Sequence, residues 1–347
     1  PVTGVCKGLL VEESRTNLLT YSEDFTQSVW TKGTTLIATN SALSPNNTYS
    51  ATLLIPNLGS FNIHSATSTS GTHTSSIFVK DAGAGSCLVA MGSTTQGYLI
   101  NLNTVTGTYI SGRSYGGGTL VSYSILPYPN GWFKVSVTAT ANARGVYVNR
   151  ADGTSPNQGI YIWGAQLEAG SFPTSYIPTT GATVTRSADV ASMTGANFSS
   201  WYNQGEGSFV LSENNSFGVG LNKRLEINQD SSPNANAIAF TVNYGNGTRI
   251  TTRDSNSPGT LDVTLTNVWT QGGTRKYGYG LQLNNSVIVS GSSIITDTAC
   301  TLPPNLNSFS FGAPGRAVSL VNDAGKFTIS RITYWPKRLP NSQLIAL

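Results

Sequence analysis

The period of the apolar residues constrains this chain most: over most of its length it is two, not 3.6. Trp132-Phe-Lys-Val-Ser-Val-Thr138 alternates cleanly. Strand side chains point to opposite faces in turn, so Lys134, Ser136 and Thr138 share one face and Phe133, Val135 and Val137 the other. Gly97-Tyr-Leu-Ile-Asn-Leu102 and Gly107-Thr-Tyr-Ile-Ser111 are shorter runs between Gly, Asn and Ser punctuation. Gly159-Ile-Tyr-Ile-Trp-Gly164 is apolar on both faces, the pattern of a central strand. Further strands are predicted at 207–212, 237–242 and 287–290. Helix signals are scarce, the best being one short turn over 340–347 with Asn341 or Ser342 as its N-cap. Such a pattern predicts an all-β chain of antiparallel β-sandwiches.

Composition narrows the choice. Charged residues make up 10%, against about 25% in an average globular protein, and 37 glycines supply turns. A hydrophobic fraction of 38% still fills a core. The net charge of +4 is spread without a Lys/Arg run, which argues against a nucleic-acid groove. No apolar stretch approaches the roughly 20 residues of a membrane-spanning helix, so no membrane insertion is expected. With only His64 and His73, zinc sites and histidine-based triads are nearly excluded. Cys6, Cys87 and Cys300 are too widely spaced for a disulfide framework or a metal motif. The chain starts at Pro1 with no signal peptide, and the expectation is a segment of a longer polypeptide.

A length of 347 suggests two domains at about 150 residues each. Ser171-Phe-Pro-Thr-Ser-Tyr-Ile-Pro-Thr-Thr-Gly181 carries two prolines and favours an extended link. The expected layout is a linker over 1–16, a first sandwich over 17–170, a Pro/Ser/Thr-rich connector over 171–200 and a second sandwich over 201–347.

Four segments carry a resemblance when taken together. They are Lys7-Gly-Leu-Leu-Val-Glu-Glu-Ser-Arg-Thr-Asn-Leu-Leu19, Tyr21-Ser-Glu-Asp-Phe25 through Trp30, Ile160-Tyr-Ile-Trp-Gly-Ala-Gln-Leu-Glu-Ala-Gly-Ser-Phe172, and Thr174-Ser-Tyr-Ile-Pro-Thr-Thr180. In this order they resemble a module of tailed-bacteriophage tail fibres, tailspikes and minor tail proteins, similar to carbohydrate-binding jelly rolls of the galactose-binding type. The closing Phe327-Thr-Ile-Ser-Arg-Ile-Thr-Tyr-Trp-Pro-Lys-Arg-Leu-Pro-Asn-Ser-Gln-Leu344 is similar to concanavalin-A-like or laminin-G-like domains. The resemblance implies a virion location in the tail or a surface appendage, contacts with other virion proteins and a homotrimer. It also implies adhesion to host surface polysaccharide.

Sugar recognition needs an aromatic face flanked by amide or carboxylate partners. Trp132 and Trp163 lie within apolar strand patterns and read as core, while Trp30 sits beside polar residues and the resemblance implies packing for it too. Tyr109, Tyr115, Tyr123 and Tyr128 flank glycine-rich loops and are the candidate ligand-facing rim, with ordinary loop packing as the alternative. Trp201 and Tyr202 are candidate contact surface, packing between domains being the other reading. Lys337 and Arg338 read as a solubilising turn, contact with acidic glycans being the alternative. The triple glycine within Gly112-Arg-Ser-Tyr-Gly-Gly-Gly118 reads as a loop tip, and no helix follows it as a phosphate loop requires.

A glycoside hydrolase needs two carboxylates set across the bond. Asp24, Asp81, Asp152, Glu168, Glu206, Asp254 and Asp262 are candidates, with no sequence signal that any two converge. No repeat announces a catalytic β-helix. In related jelly rolls, acidic residues near the first and last strands hold a structural calcium. Here Glu23 and Asp24 adjoin a turn, but no Asp/Asn-rich calcium loop is present. No cofactor is expected, and metal binding is left open. The expected function is non-catalytic adhesion to host glycan. The alternatives are a structural head-decoration or tail-adaptor role and a polysaccharide depolymerase.

Overall fold

The computed structural model describes residues 8–33, 35–56, 61–67, 70–142, 144–150, 158–189, 191–218, 221–229, 236–243, 247–254, 257–265, 274–311 and 325–346. They form two compact units: one is Arg15–Arg186, and the other joins residues 8–14 to 187–346.

The first unit is a sandwich of two six-stranded sheets. One runs Tyr109–Tyr115, Gly97–Asn103, Ser86–Gly92, Arg144–Arg150, Phe61–Thr67, Thr31–Lys32. The other runs Thr119–Tyr128, Trp132–Ala141, Gly71–Ala82, Gly159–Ala169, Tyr49–Pro56, Thr35–Leu43. All their pairings are antiparallel. Ile77, Val79, Val135 and Val137 meet Val89, Met91, Ile100 and Val148 between the sheets, as the alternation at 132–138 requires. Burying each such side chain contributes about 1.5–3 kcal/mol. Gly159–Ala169 is a central strand, flanked by Gly71–Ala82 and Tyr49–Pro56.

The opposite face of the second sheet is covered too. Lys134, on that face, donates from Nζ to Thr174 O at 2.8 Å. Glu168, fully buried, accepts from Thr174 N at 3.1 Å and from the Thr174 hydroxyl. Gln166 Oε1 accepts from Ile177 N at 2.6 Å, and the Tyr176 ring packs 4.8 Å from that of Trp163. The proline-bearing stretch 171–180 is therefore strapped onto this unit, where an extended connector was expected. Its backbone bridges to the chain only near its end, at Tyr21–Thr180 with Ser22 N donating to Thr179 O at 3.2 Å, and buried side chains supply hydrogen bonds before that. Asn17 completes the strap. Its Nδ2 donates to Ala165 O (3.2 Å) and Ile177 O (2.9 Å), while its Oδ1 accepts from Leu19 N (3.2 Å) and Leu167 N (3.1 Å). Arg15–Asn17 pairs with Val184–Arg186, so the unit's first and last strands zip together.

In the second unit one sheet runs Leu9–Glu12, Gly325–Trp335, Glu206–Gly218, Arg275–Gln282, Ser286–Ser290, Ser293–Asp297. Its partner runs Ala191–Thr194, Ser308–Phe311, Leu221–Asn228, Ala237–Asn243, Gly247–Asp254, Ser257–Leu265. Phe209, Leu211, Tyr279 and Phe327 pack with Leu225, Ile227, Phe240 and Phe309 in its core. Strand bulges, which re-aim side chains, fall at Ser212/Glu213 and Lys223/Leu225. Glu213 and Arg224 are both fully buried and form an ion pair at 2.7 Å. Tyr277 donates to the same carboxylate, and the Arg224 guanidinium lies 4.4 Å from the centre of the Phe327 ring.

Leu9–Glu12 lies inside the segment expected to be a linker, yet it pairs in register with Lys326–Ile329 and buries Val11. The chain thus contributes a strand to the second unit, builds the first, and returns. A four-residue strand carries too little alternation to read, and its partner Ile329 sits at the far end of the sequence. The second unit also takes up residues from Ser187 onward, ahead of the boundary expected at 201. Two α-helices occur among the described residues: Ala196–Ser199, which no sequence signal announced, and Asn341–Ala346, where the terminal turn was expected. Half of the expected 112–118 loop belongs to the Tyr109–Tyr115 strand. Cys87 and Cys300 are buried free thiols, and Cys6 lies outside the described residues. No helix among the described residues is long and apolar enough to cross a membrane.

Candidate functional site

The structure pairs four of the six candidate aromatics, Tyr109 with Tyr123 and, edge-on at 6.1 Å, Trp201 with Tyr202. Tyr109 and Tyr123 stand on the edge strands of opposite sheets of the first unit. Their rings stack with centres 4.8 Å apart and planes 21° from parallel, and the residues are 43% and 42% exposed. Tyr109 is in register with Leu102 and Tyr123 with Val137, both core residues, so the stack fills the open mouth between the sheets. Tyr98 reaches the same place. A Cβ on Gly112 would come within 2.9 Å of the Tyr109 hydroxyl and 3.1 Å of the Tyr98 hydroxyl, a space only glycine leaves free. Ile110, Val121 and Leu126 on the same two strands are also exposed.

The other four pack within their own units. Tyr115 donates to Ser93 O at 2.7 Å, and burial pushes its hydroxyl up. Tyr128 meets Phe78 edge-on, centres 4.9 Å apart. Trp201 donates from Nε1 to Asn197 O at 2.7 Å and meets Tyr334 edge-on at 5.0 Å. Tyr202 stacks on buried Phe198 at 4.6 Å, and burial pushes its hydroxyl up as well.

A concave site lies elsewhere on the first unit: a cleft of about 400 Å³ between the 21–27 loop and the strands Thr35–Leu43 and Tyr49–Pro56. The loop is pinned by Phe25 and Trp30 in the core and by Trp30 Nε1 donating to Tyr21 O at 2.9 Å. Lys32 Nζ ties its underside to the carbonyls of Phe25, Thr26 and Gln27 at 3.0–3.2 Å. Asp24 accepts from the Thr26 hydroxyl and amide and from Gln27 Nε2 at 2.8 Å. The side-chain bonds from Thr26 and Gln27 hold its carboxyl below the usual carboxylate range.

The other walls come from a broken ladder. Register is lost between Ala38 and Ala42, and Asn40 takes a left-handed φ of 51°, a conformation Asn tolerates better than most residues. Thr39 and Asn40 then face the cleft, with Ser50 and Thr52 from the next strand. Ser50 Oγ accepts from Trp163 Nε1 at 3.0 Å, and Tyr176 OH donates to Glu23 Oε1 at 3.0 Å. Thr52 is 1% exposed and lines the cleft from the strand Tyr49–Pro56. Two carboxylates, one amide and four hydroxyls thus line a space in the size range of small-molecule sites. Sequence reasoning weighed Glu23 and Asp24 but missed Thr39, Asn40, Ser50 and Thr52. The one available signal was the polar Thr39-Asn-Ser41 interrupting an apolar run.

The remaining candidate carboxylates have local partners. Asp81 caps a turn, accepting from Gly83 N (2.9 Å), Gly85 N (2.8 Å) and the Thr104 hydroxyl (2.6 Å). Glu206 accepts from Arg338 N at 2.9 Å, and Glu168 belongs to the strap. Asp152 and the side chains of Asp254 and Asp262 lie outside the described residues. Among the described residues, no three His, Cys, Asp or Glu side chains gather as a metal site.

No family model matches the chain, and no curated protein matches its sequence. Among solved structures it is similar to the CBM40 of Ruminococcus gnavus IT-sialidase bound to alpha2,3 sialyllactose. That match has 13% identity and a TM-score of 0.35, covering 42% of this chain and 82% of that one. A mutant of the NanB sialidase from Streptococcus pneumoniae is similar at 10% identity and a TM-score of 0.37, over 45% of this chain and 26% of the sialidase. The chain therefore spans about a quarter of that enzyme. Domains LG4-5 of the mouse laminin alpha1 chain match over 97% of this chain and 94% of theirs, at 9% identity and a TM-score of 0.27. The chain itself is all-β, two antiparallel sandwiches on one polypeptide.

Proposed function

We propose that this chain is a non-catalytic glycan adhesin of a tailed-bacteriophage virion, part of a tail fibre or other surface appendage, and that it grips host surface polysaccharide through the cleft on its first sandwich. The observation that carries the reading is the lining. Thr39, Asn40 and Thr52 offer donors and acceptors at close spacing, and Glu23 and Asp24 add strong acceptors for sugar hydroxyls. The virion setting rests on the ordered combination of segments quoted from the sequence. The exposed Tyr109–Tyr123 stack is proposed as a second contact, an aromatic face for the apolar side of a pyranose. Single sugar contacts are weak, so a homotrimer bound to other virion proteins would gain avidity from repeated sites. The reading requires no cofactor, no nucleic acid and no membrane insertion.

The test is binding of the full chain to a glycan array that includes host capsule and lipopolysaccharide fragments. Specific binding is expected, and Thr39→Trp, at an exposed cleft position, should weaken it at least tenfold. Shortened oligosaccharides appearing on incubation would overturn the non-catalytic part. A second reading, a structural adaptor between virion proteins, is favoured by the exposed Ile110, Val121 and Leu126 on two edge strands. Tight binding to another virion protein, with no glycan bound, would establish it instead.

A further inference from the structure

We propose that the cleft selects sugars without an acid group, taking neutral or amine-bearing saccharides and discriminating against those that carry a carboxylate. The inference rests on the glycan reading above and deepens it. Among the described residues the lining holds Glu23 and Asp24 and no Lys, Arg or His. The cation nearest in the chain, Lys32, is committed to three carbonyls on the loop's underside and does not line the cleft. Asp24 stays ionised because three donors already point at it. Glu23 receives the Tyr176 hydroxyl on Oε1, and its remaining acceptor capacity serves a ligand that donates. A sugar hydroxyl or ammonium group donates, whereas an ionised acid oxygen only accepts.

Thr52, from the strand Tyr49–Pro56, also lines the cleft, so a ligand hydroxyl can meet its hydroxyl and reach the two carboxylates without repulsion. Bringing a ligand carboxylate within about 5 Å of one protein carboxylate weakens binding roughly fourfold in water-like surroundings and more than a hundredfold in partly buried ones.

The experiment uses the full chain and matched saccharide pairs, trigalactose with trigalacturonate and lactose with 3′-sialyllactose, alongside triglucosamine and an array covering neutral, amine-bearing and acidic glycans. Neutral or amine-bearing members should bind, and the acidic member of each bound pair at least tenfold more weakly. Glu23→Gln keeps the shape and an acceptor for Tyr176, and should narrow that gap to about threefold. Salt near 0.5 M should also narrow it, since the Debye length falls below about 5 Å. Acidic members binding as tightly as neutral ones, with binding lost in Thr39→Trp, would overturn the selectivity and leave the glycan reading intact. If no glycan binds, or Thr39→Trp changes nothing, the glycan reading of this cleft fails and the selectivity falls with it.

Discussion

Asn17→Ala is the sharpest probe of how the first sandwich is closed. The side chain is wholly buried and satisfies four backbone groups: the carbonyls of Ala165 and Ile177 and the amides of Leu19 and Leu167. Alanine leaves all four without that partner in a site water does not reach. Each buried orphan costs about 1–3 kcal/mol, and some relaxation is shared because the groups are adjacent. The expected loss is therefore about 3–5 kcal/mol. For a domain of this size about 2–4 °C accompany each kcal/mol, so the first unit's melting midpoint should fall on the order of 10 °C. Calorimetry with tryptophan fluorescence follows it, because Trp30, Trp132 and Trp163 all lie in the affected unit. A loss below about 1 kcal/mol would refute the reasoning and show that the 171–180 strap holds without Asn17.

Two further outcomes follow from the same structure. Gly278→Ala should be tolerated, changing stability by less than about 1 kcal/mol. Its Cβ would meet Leu344 and Val289 at an ordinary 3.6 Å. Gly280→Ala should cost about 1–3 kcal/mol. There the Cβ would lie 2.7 Å from Arg338 Cδ and Nε, and Arg338 is fixed by its bond to Asn285 O at 3.0 Å. Urea melts of the two variants check the contrast. His64 should titrate below 6.5, because burial disfavours its charged form. A folded pKa below the unfolded one means its contribution is complete above pH 6.5 and is lost as pH falls through the folded pKa. The first unit should weaken over that window, and less so in His64→Phe. Imidazole NMR titration and melts between pH 7 and 5 read both effects.

Much of the fold was legible because strand alternation is local. Trp132 to Thr138 reveals its two faces without reference to any other segment, and Val135 and Val137 are core in the sandwich. The strap was not legible. Pro173 and Pro178 signal an extended chain whether it hangs free or lies against a sheet, and the bonds from Asn17, Ser22, Lys134, Gln166 and Glu168 decide which. Tyr115 and Tyr128 were candidates on the same grounds as Tyr109 and Tyr123. Their local sequences resemble one another, and exposure depends on what each strand faces across the sandwich mouth.

From its residue order alone this chain is committed to antiparallel sandwiches, since side chains two apart share a face and so few charges leave apolar stripes that must be buried. The tertiary structure alone decides that residues 9–12 belong with 326–329 and that Asp24, Asn40 and Thr52 share one cleft. Both depend on register between strands distant in sequence, and a ladder broken at Thr39–Ser41 places those side chains where no local pattern points.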